Sequence, residues 1–165
     1  TQPHYENGKD YDVIDIIKVG ISEVVLNKIK ETAQQYEVQT RNISYDSDGV
    51  GQFIKQYLKS ARPIINNGKV LKGENYINLK SQLYYKLGEL IRDGKIKIKT
   101  NKFKKEIEAE LLSIKRKTRG HSESKQEINS KNDQKKILGH SPDYADALAY
   151  KMIFEYTQGN FTRMV

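Results

Sequence analysis

At 165 residues, 36% hydrophobic and 30% charged, the chain has the size of one domain with a proper core and is polar without being disordered in composition. It has no cysteine, which excludes disulfide scaffolds, thiolate metal sites and cysteine nucleophiles. Its 29 basic against 21 acidic residues leave a net charge of +8, which suits a polyanionic partner as readily as plain solubility. No apolar run approaches the ~20 residues of a membrane helix and no signal peptide is visible, so a soluble, intracellular chain is expected.

The chain opens on Thr1 to Asp10, where Asn7-Gly8 signals a hairpin between Gln2–Tyr5 and the β-branched run Tyr11–Val19. Ile21, Val25, Ile29 and Ala33 then recur at helical spacing and predict an amphipathic helix to about Tyr36. A strand over Thr40–Tyr45 runs into Asp46-Ser47-Asp48-Gly49-Val50-Gly51, after which Phe53, Ile54, Tyr57 and Leu58 mark a helix. Strand, glycine-rich turn and helix form an α/β unit. Pro63, Asn66, Asn67, Gly68 and Gly73 lie in a loop with a short strand at Ile64-Ile65.

The strongest helical signal runs from Asn75 to Arg92, with Tyr76, Leu79, Leu83, Leu87, Leu90 and Ile91 as its buried stripe. Asp93-Gly94 turns into Lys95-Ile96-Lys97-Ile98-Lys99, an alternating strand with a basic face, and Phe103–Lys115 resumes as helix with Ile107, Leu111 and Ile114 inward. The polar stretch 116–136 reads as a mobile loop or excursion, with an extended β-ribbon as its ordered form. Ser141 is placed to cap a closing helix with Pro142 at its first position, running to about Thr157 with Tyr144, Leu148, Met152 and Tyr156 inward. Residues 158–165 are a tail, so one domain, 1–157, is expected: α/β, with a mixed central sheet flanked by helices.

The acidic residues at element ends carry the chemistry. Asp46 closes a strand, the edge at which sites gather in open α/β sheets, and Gly49 and Gly51 allow close backbone approach. The ordinary role of Asp46 and Asp48 is to hold the turn. A calcium loop is excluded because Phe53 and Ile54 stand where oxygen ligands belong, and no Gly-Lys-Ser/Thr follows to make a phosphate loop, so there is no ATP site. Asp143 and Asp146 fall in the first turn of the closing helix, where the dipole favours carboxylates. Carboxylates from a strand end and a distant helix start suit hard divalent ions, two of which ~4 Å apart can activate water against a phosphodiester. Lys95, Lys97 and Lys99 on one strand face, continued by Lys102, Lys104 and Lys105, are candidate phosphate contacts, although lysines also serve to protect an edge strand. His140 reads as a helix-start contact; nothing surrounds His4 or His121 to give either a role.

Three segments carry a resemblance: Tyr45–Gly51, Gly73–Leu87 and Ser141-Pro142-Asp143-Tyr144-Ala145-Asp146-Ala147-Leu148. In these the chain resembles the nuclease domain of the large terminase subunit of tailed double-stranded DNA bacteriophages, of prophage type. The resemblance implies a ribonuclease H-like fold, with Mg²⁺ or Mn²⁺, two ions in the complete domain, held by the catalytic acids Asp46 and Asp143 with Asp146 as a further contributor; Asp48 is an additional candidate ligand from its place in the turn. It also implies cutting of concatemeric double-stranded DNA in the host cytoplasm, beside an ATPase domain of the same terminase, a small terminase subunit and a portal. The first family acid belongs on a strand ahead of the opening hairpin, so a domain lacking that strand, with weak metal binding and poor cleavage, is expected. The alternative is an inactive remnant, or a DNA- or protein-binding module with the same fold.

Overall fold

Residues 11–13, 15, 22–48, 51–117 and 125–157 are described by the structure, a computed structural model. The expected Gln2–Tyr5 strand, most of the Tyr11–Val19 run, Asp10, Gly49, His4, His121 and the tail lie outside the described residues. The elements in chain order are β1 (Tyr11–Val13), α1 (Ser22–Gln35), β2 (Ser44–Asp46), α2 (Gly51–Tyr57), β3 (Arg62–Ile64), α3 (Leu79–Arg92), β4 (Ile96–Ile98), α4 (Lys104–Ser113), β5 (Arg116–Lys117), β6 (Glu127–Ile128), α5 (Lys131–Leu138) and α6 (Asp143–Lys151). From β1 to α4, strands and helices alternate as an α/β fold requires.

Both parallel and antiparallel pairing occur, in three two-stranded ladders among the described residues. β1 runs parallel to β4, with Tyr11 opposite Ile96, and β2 runs parallel to β3, with Asp46 opposite Ile64. β5 and β6 pair antiparallel. Parallel pairing brings the C-terminal ends of β2 and β3 to the same edge, so the residues just past each strand, Ser47–Asp48 and Asn66, become neighbours.

The core is built on α3. Leu79, Leu83, Leu87 and Leu90 are buried, as their spacing predicts, whereas Ile91 is 41% exposed. Asn78 caps this helix by accepting the Ser81 N–H at 2.9 Å. Against α3 lies α6, and its buried residues are Ala145, Asp146, Ala149 and Tyr150. The inward face is therefore turned by about one residue from the Tyr144–Leu148 stripe that hydrophobicity alone predicts. Ala145 and Ala149, both fully buried, are small enough to let α3 and α4 approach α6 closely. A second, smaller cluster joins Leu26 of α1, Tyr45 of β2, Ile54 of α2, Leu58 and Ala61.

Two expectations need correcting. The closing helix ends at Lys151 and continues as a 3₁₀ turn to Glu155, which buries Met152, Ile153 and Phe154. Thr40–Asn42 forms a 3₁₀ turn, not the start of a strand. Within 116–136 the described residues include the short antiparallel β5–β6 pair and most of α5, and polar contacts tie them down. Asn129 accepts the Lys115 N–H at 2.9 Å and donates to the Ser113 carbonyl at 3.0 Å; Gln134, fully buried, donates to the Asn129 carbonyl at 2.8 Å. Ser130 and Asp133 form a capping box, and Gly139, at φ +80°, closes α5 in the left-handed conformation that only glycine adopts without strain.

Candidate metal centre

The β2 edge assembles a small polar network. The Asp48 N–H donates back to Asp46 Oδ1 at 2.9 Å, folding the chain into an aspartate turn. The turn is pinned to the neighbouring strand by Ser47, whose N–H and hydroxyl both donate to the Ile64 carbonyl, at 2.9 and 3.0 Å. Past β3, the Asn66 amide nitrogen stands 2.9 Å from Asp48 Oδ2 and 3.4 Å from each Asp46 carboxylate oxygen. From α6, the Tyr150 hydroxyl reaches Asp46 Oδ2 at 3.0 Å and the Asn66 side-chain oxygen at 2.9 Å. Burial is the main reason the Tyr150 phenol is held far above its ordinary pKa, with the Asp146 and Asp46 carboxylates adding to it, so it keeps its proton.

Oxygens of two carboxylates thus converge on one point, filled by the partial positive charge of an amide N–H. Hard oxygen donors in that disposition fit a divalent cation such as Mg²⁺ or Mn²⁺, which keeps several of its own waters and needs only one or two protein carboxylates. Among the described residues, no three His, Asp or Glu side chains come together as a metal-holding group.

The α6 acids stand elsewhere in the network. Asp146 is 5% exposed and its Oδ1 accepts from Lys80 at 2.7 Å and from the Tyr84 hydroxyl at 2.6 Å, while Lys131 lies 4.0 Å from Oδ2. Buried carboxylates demand such compensation. Tyr84 is raised far above the ordinary phenol range, first by burial and then by Asp146. Asp143 is exposed, at the start of the helix. Asp46 and Asp146 both push the Tyr150 phenol upward, and Tyr150 belongs to the helix that packs on β2.

The start of α6 also corrects a sequence expectation. Ser141 does not cap it; Pro142 occupies the cap position and no side chain of the segment itself bonds the first turn. Glu110 of α4, 1% exposed, does so from across the fold, accepting the N–H groups of Tyr144 and Ala145 at 2.8 and 2.9 Å. Burial raises the Glu110 carboxyl above its ordinary value, partly offset by those two N–H groups and by His140, whose Nδ1 lies 3.7 Å from Oε1; Asp143 pushes the same way as burial. Sequence reasoning missed Glu110 because one acid on an amphipathic helix looks solvated. It missed Asn66 and Tyr150 because a loop amide and a helix tyrosine have commoner uses.

The six lysines divide. Lys99 pairs with Asp12 at 2.7 Å and Lys102 with Asp15 at 2.8 Å. Lys97, Lys104 and Lys105 are exposed, and Lys95 is half-buried.

Solved structures of similar fold settle the architecture. A mutant nuclease domain of the large terminase subunit gp2 of bacterial virus Sf6, with manganese and beta-thujaplicinol, superposes at TM-score 0.63 and 20% identity over 82% of this chain and 74% of that one. The fold is that of a phage terminase nuclease domain. Two further structures of the Sf6 terminase nuclease agree: a mutant domain with manganese at TM-score 0.53 and 22% identity, and a mutant with calcium at 0.52 and 21%. Each covers 66% of this chain, which spans 64% of the first and 63% of the second. At these identities the terminase nuclease fold is what is shared. No family model matches the sequence, and no curated protein matches it. No described helix is long and apolar enough to cross a membrane.

Proposed function

We propose that the chain is a metal-dependent DNA endonuclease domain of the phage packaging type, acting on concatemeric double-stranded DNA. The observation that carries the reading is the convergence of Asp46 and Asp48 at the C-terminal edge of two parallel strands, in a terminase nuclease fold whose neighbours were solved with manganese and calcium. Mg²⁺ or Mn²⁺ held there would supply the charge that favours water attack on a phosphodiester and departure of its oxygen. Asp46 and Asp48 are the holding carboxylates. The family resemblance assigns Asp143 and Asp146 of α6 to the same centre; Asp146 is already met by Lys80 and Tyr84, so it would join only through Oδ2 and add little to the affinity. Lys97, Lys104 and Lys105 would hold the DNA backbone, with Lys95, Lys99 and Lys102 beside them. An ATPase domain, a small terminase subunit and a portal would be the partners, in the cytoplasm of a bacterial host.

Cleavage by these 165 residues should be slow, since Lys80 already neutralises Asp146 and an amide dipole already serves the Asp46–Asp48 pair. The test is Mn²⁺-dependent conversion of supercoiled plasmid to nicked and linear forms, abolished by chelation and by Asp46→Asn. Cleavage that survives Asp46→Asn contradicts the proposal. The Lys80–Asp146 pair favours a second reading, a non-catalytic DNA-binding or assembly module in which that acid is structural. It predicts DNA binding with no cleavage at any Mn²⁺ concentration.

A further inference from the structure

The network around Asp46 holds fewer protons than its contacts require. Tyr150 has one hydroxyl proton but faces two acceptors, Asp46 Oδ2 at 3.0 Å and Asn66 Oδ1 at 2.9 Å, so one of these oxygen–oxygen contacts contains no hydrogen. Rotating the Asn66 side-chain amide by half a turn repairs this. The amide nitrogen then donates to the Tyr150 oxygen, and the Tyr150 proton goes wholly to Asp46. The amide oxygen, however, now faces Asp48 Oδ2 and the Asp46 carboxylate, where the nitrogen had stood at 2.9 and 3.4 Å. An amide oxygen and two carboxylates confronting one another are unfavourable unless a cation lies among them. Without a cation the nitrogen belongs inward; with one, the oxygen does.

We propose that Asn66 and Tyr150 form a two-position hydrogen-bond switch for the Asp46–Asp48 centre, Asn66 trading its amide N–H for its amide oxygen when a divalent cation enters. This rests on the reading of Asp46 and Asp48 as the metal-holding pair. Asn66 is then a neutral oxygen ligand in the loaded state and a plug in the empty one. Tyr150 is a positioning residue: it stays protonated, accepts from the rotated amide and holds Asp46, so it couples the metal centre to α6. Such outer partners orient ligands, and their loss commonly weakens metal affinity about 10–100-fold.

The experiment has two stages on the intact chain. Mn²⁺ binding is measured by calorimetry for the native protein and for Asp46→Asn, Asn66→Asp and Tyr150→Phe. Native binding lost on Asp46→Asn supports the underlying reading; no saturable binding, or binding untouched by Asp46→Asn, overturns that reading and the switch with it. Given binding, Asn66→Asp should bind at least about tenfold more tightly, because it removes the plug and adds a charged ligand, and Tyr150→Phe about tenfold more weakly. Because the added charge alone raises affinity, rotation of the native amide is what separates a switch from a purely structural Asn66. The switch itself is read by NMR with Mg²⁺: the Asn66 side-chain amide protons should gain cross-relaxation to the Tyr150 ring as the site fills. Saturable Mg²⁺ binding with the Asn66 amide resonances and their contacts unchanged overturns the switch while leaving the metal centre standing.

Discussion

Two acidic centres act on Tyr150, and they solve the problem of negative charge in opposite ways. Asp46 and Asp48 sit at a strand edge, the first half-buried and the second exposed, served by neutral donors: backbone N–H groups, an amide and a phenol. Asp146, one helix turn away from Tyr150, is buried and meets the ammonium of Lys80 at 2.7 Å. Neutral donors leave net charge on the first centre, available to an incoming cation. The second centre carries its own cation. A nuclease reading built on counting acids would treat all of these aspartates alike; their surroundings distinguish them.

The contrast breaks most visibly in stability. Asp146→Ala strands the Lys80 ammonium, 12% exposed, and should cost about 3–5 kcal/mol in urea unfolding at neutral pH. A cost below about 1 kcal/mol would mean that the pair is not a buried compensated one.

Next in size is Glu110→Ala, which leaves the Tyr144 and Ala145 N–H groups without their acceptor at a buried helix start and should cost about 2–3 kcal/mol. The pH dependence sharpens this. Glu110 is raised in the folded state, so the fold binds its proton more tightly than the unfolded chain does. Its contribution to stability is therefore largest below the ordinary glutamate range and declines as pH rises from that range through the raised value. Glu110→Gln should remove that declining limb from the stability–pH curve, and a curve superposable on the native one would count against the assignment.

Asp48→Asn should move stability by no more than about 0.5 kcal/mol, as for other exposed sites, while weakening Mn²⁺ binding. Smallest in energy are the lysines. Replacing Lys97, Lys104 and Lys105 together by Ala should leave folding unchanged and lower the slope of log affinity against log salt for DNA by about one unit per lysine. An unchanged slope would place the DNA on another face.

Much of this molecule is legible in its residues, and the illegible parts share a physical cause. The α3 stripe of Leu79, Leu83, Leu87 and Leu90 declares itself because leucines at helical spacing have few other uses. Asp46 stands out because a strand leads into it and glycines follow. Hydrophobic periodicity could not find the true inner face of α6, where the buried residues are two alanines, an aspartate and a tyrosine. Alanine buries little surface and so signals weakly, and a buried aspartate is intelligible only once Lys80 and Tyr84 are seen beside it. For the same reason α5 was hidden in a polar stretch. It is held by Ser130, Asp133, Asn129 and Gln134, side chains that bond locally and look like loop when read singly. The capping of α6 by Glu110 joins residues 34 and 35 positions apart, beyond any local pattern.

The comparison between the centres is tested most directly by counting bound Mn²⁺ through its electron paramagnetic resonance signal, in the native chain, in Asp46→Asn and in Asp146→Asn. If the strand edge is the seat of the cation, Asp46→Asn weakens binding at least about tenfold, whereas Asp146→Asn, whose charge Lys80 already answers, changes it by less than about threefold once the folded fraction is matched. Binding that survives Asp46→Asn and disappears in folded Asp146→Asn would contradict the account.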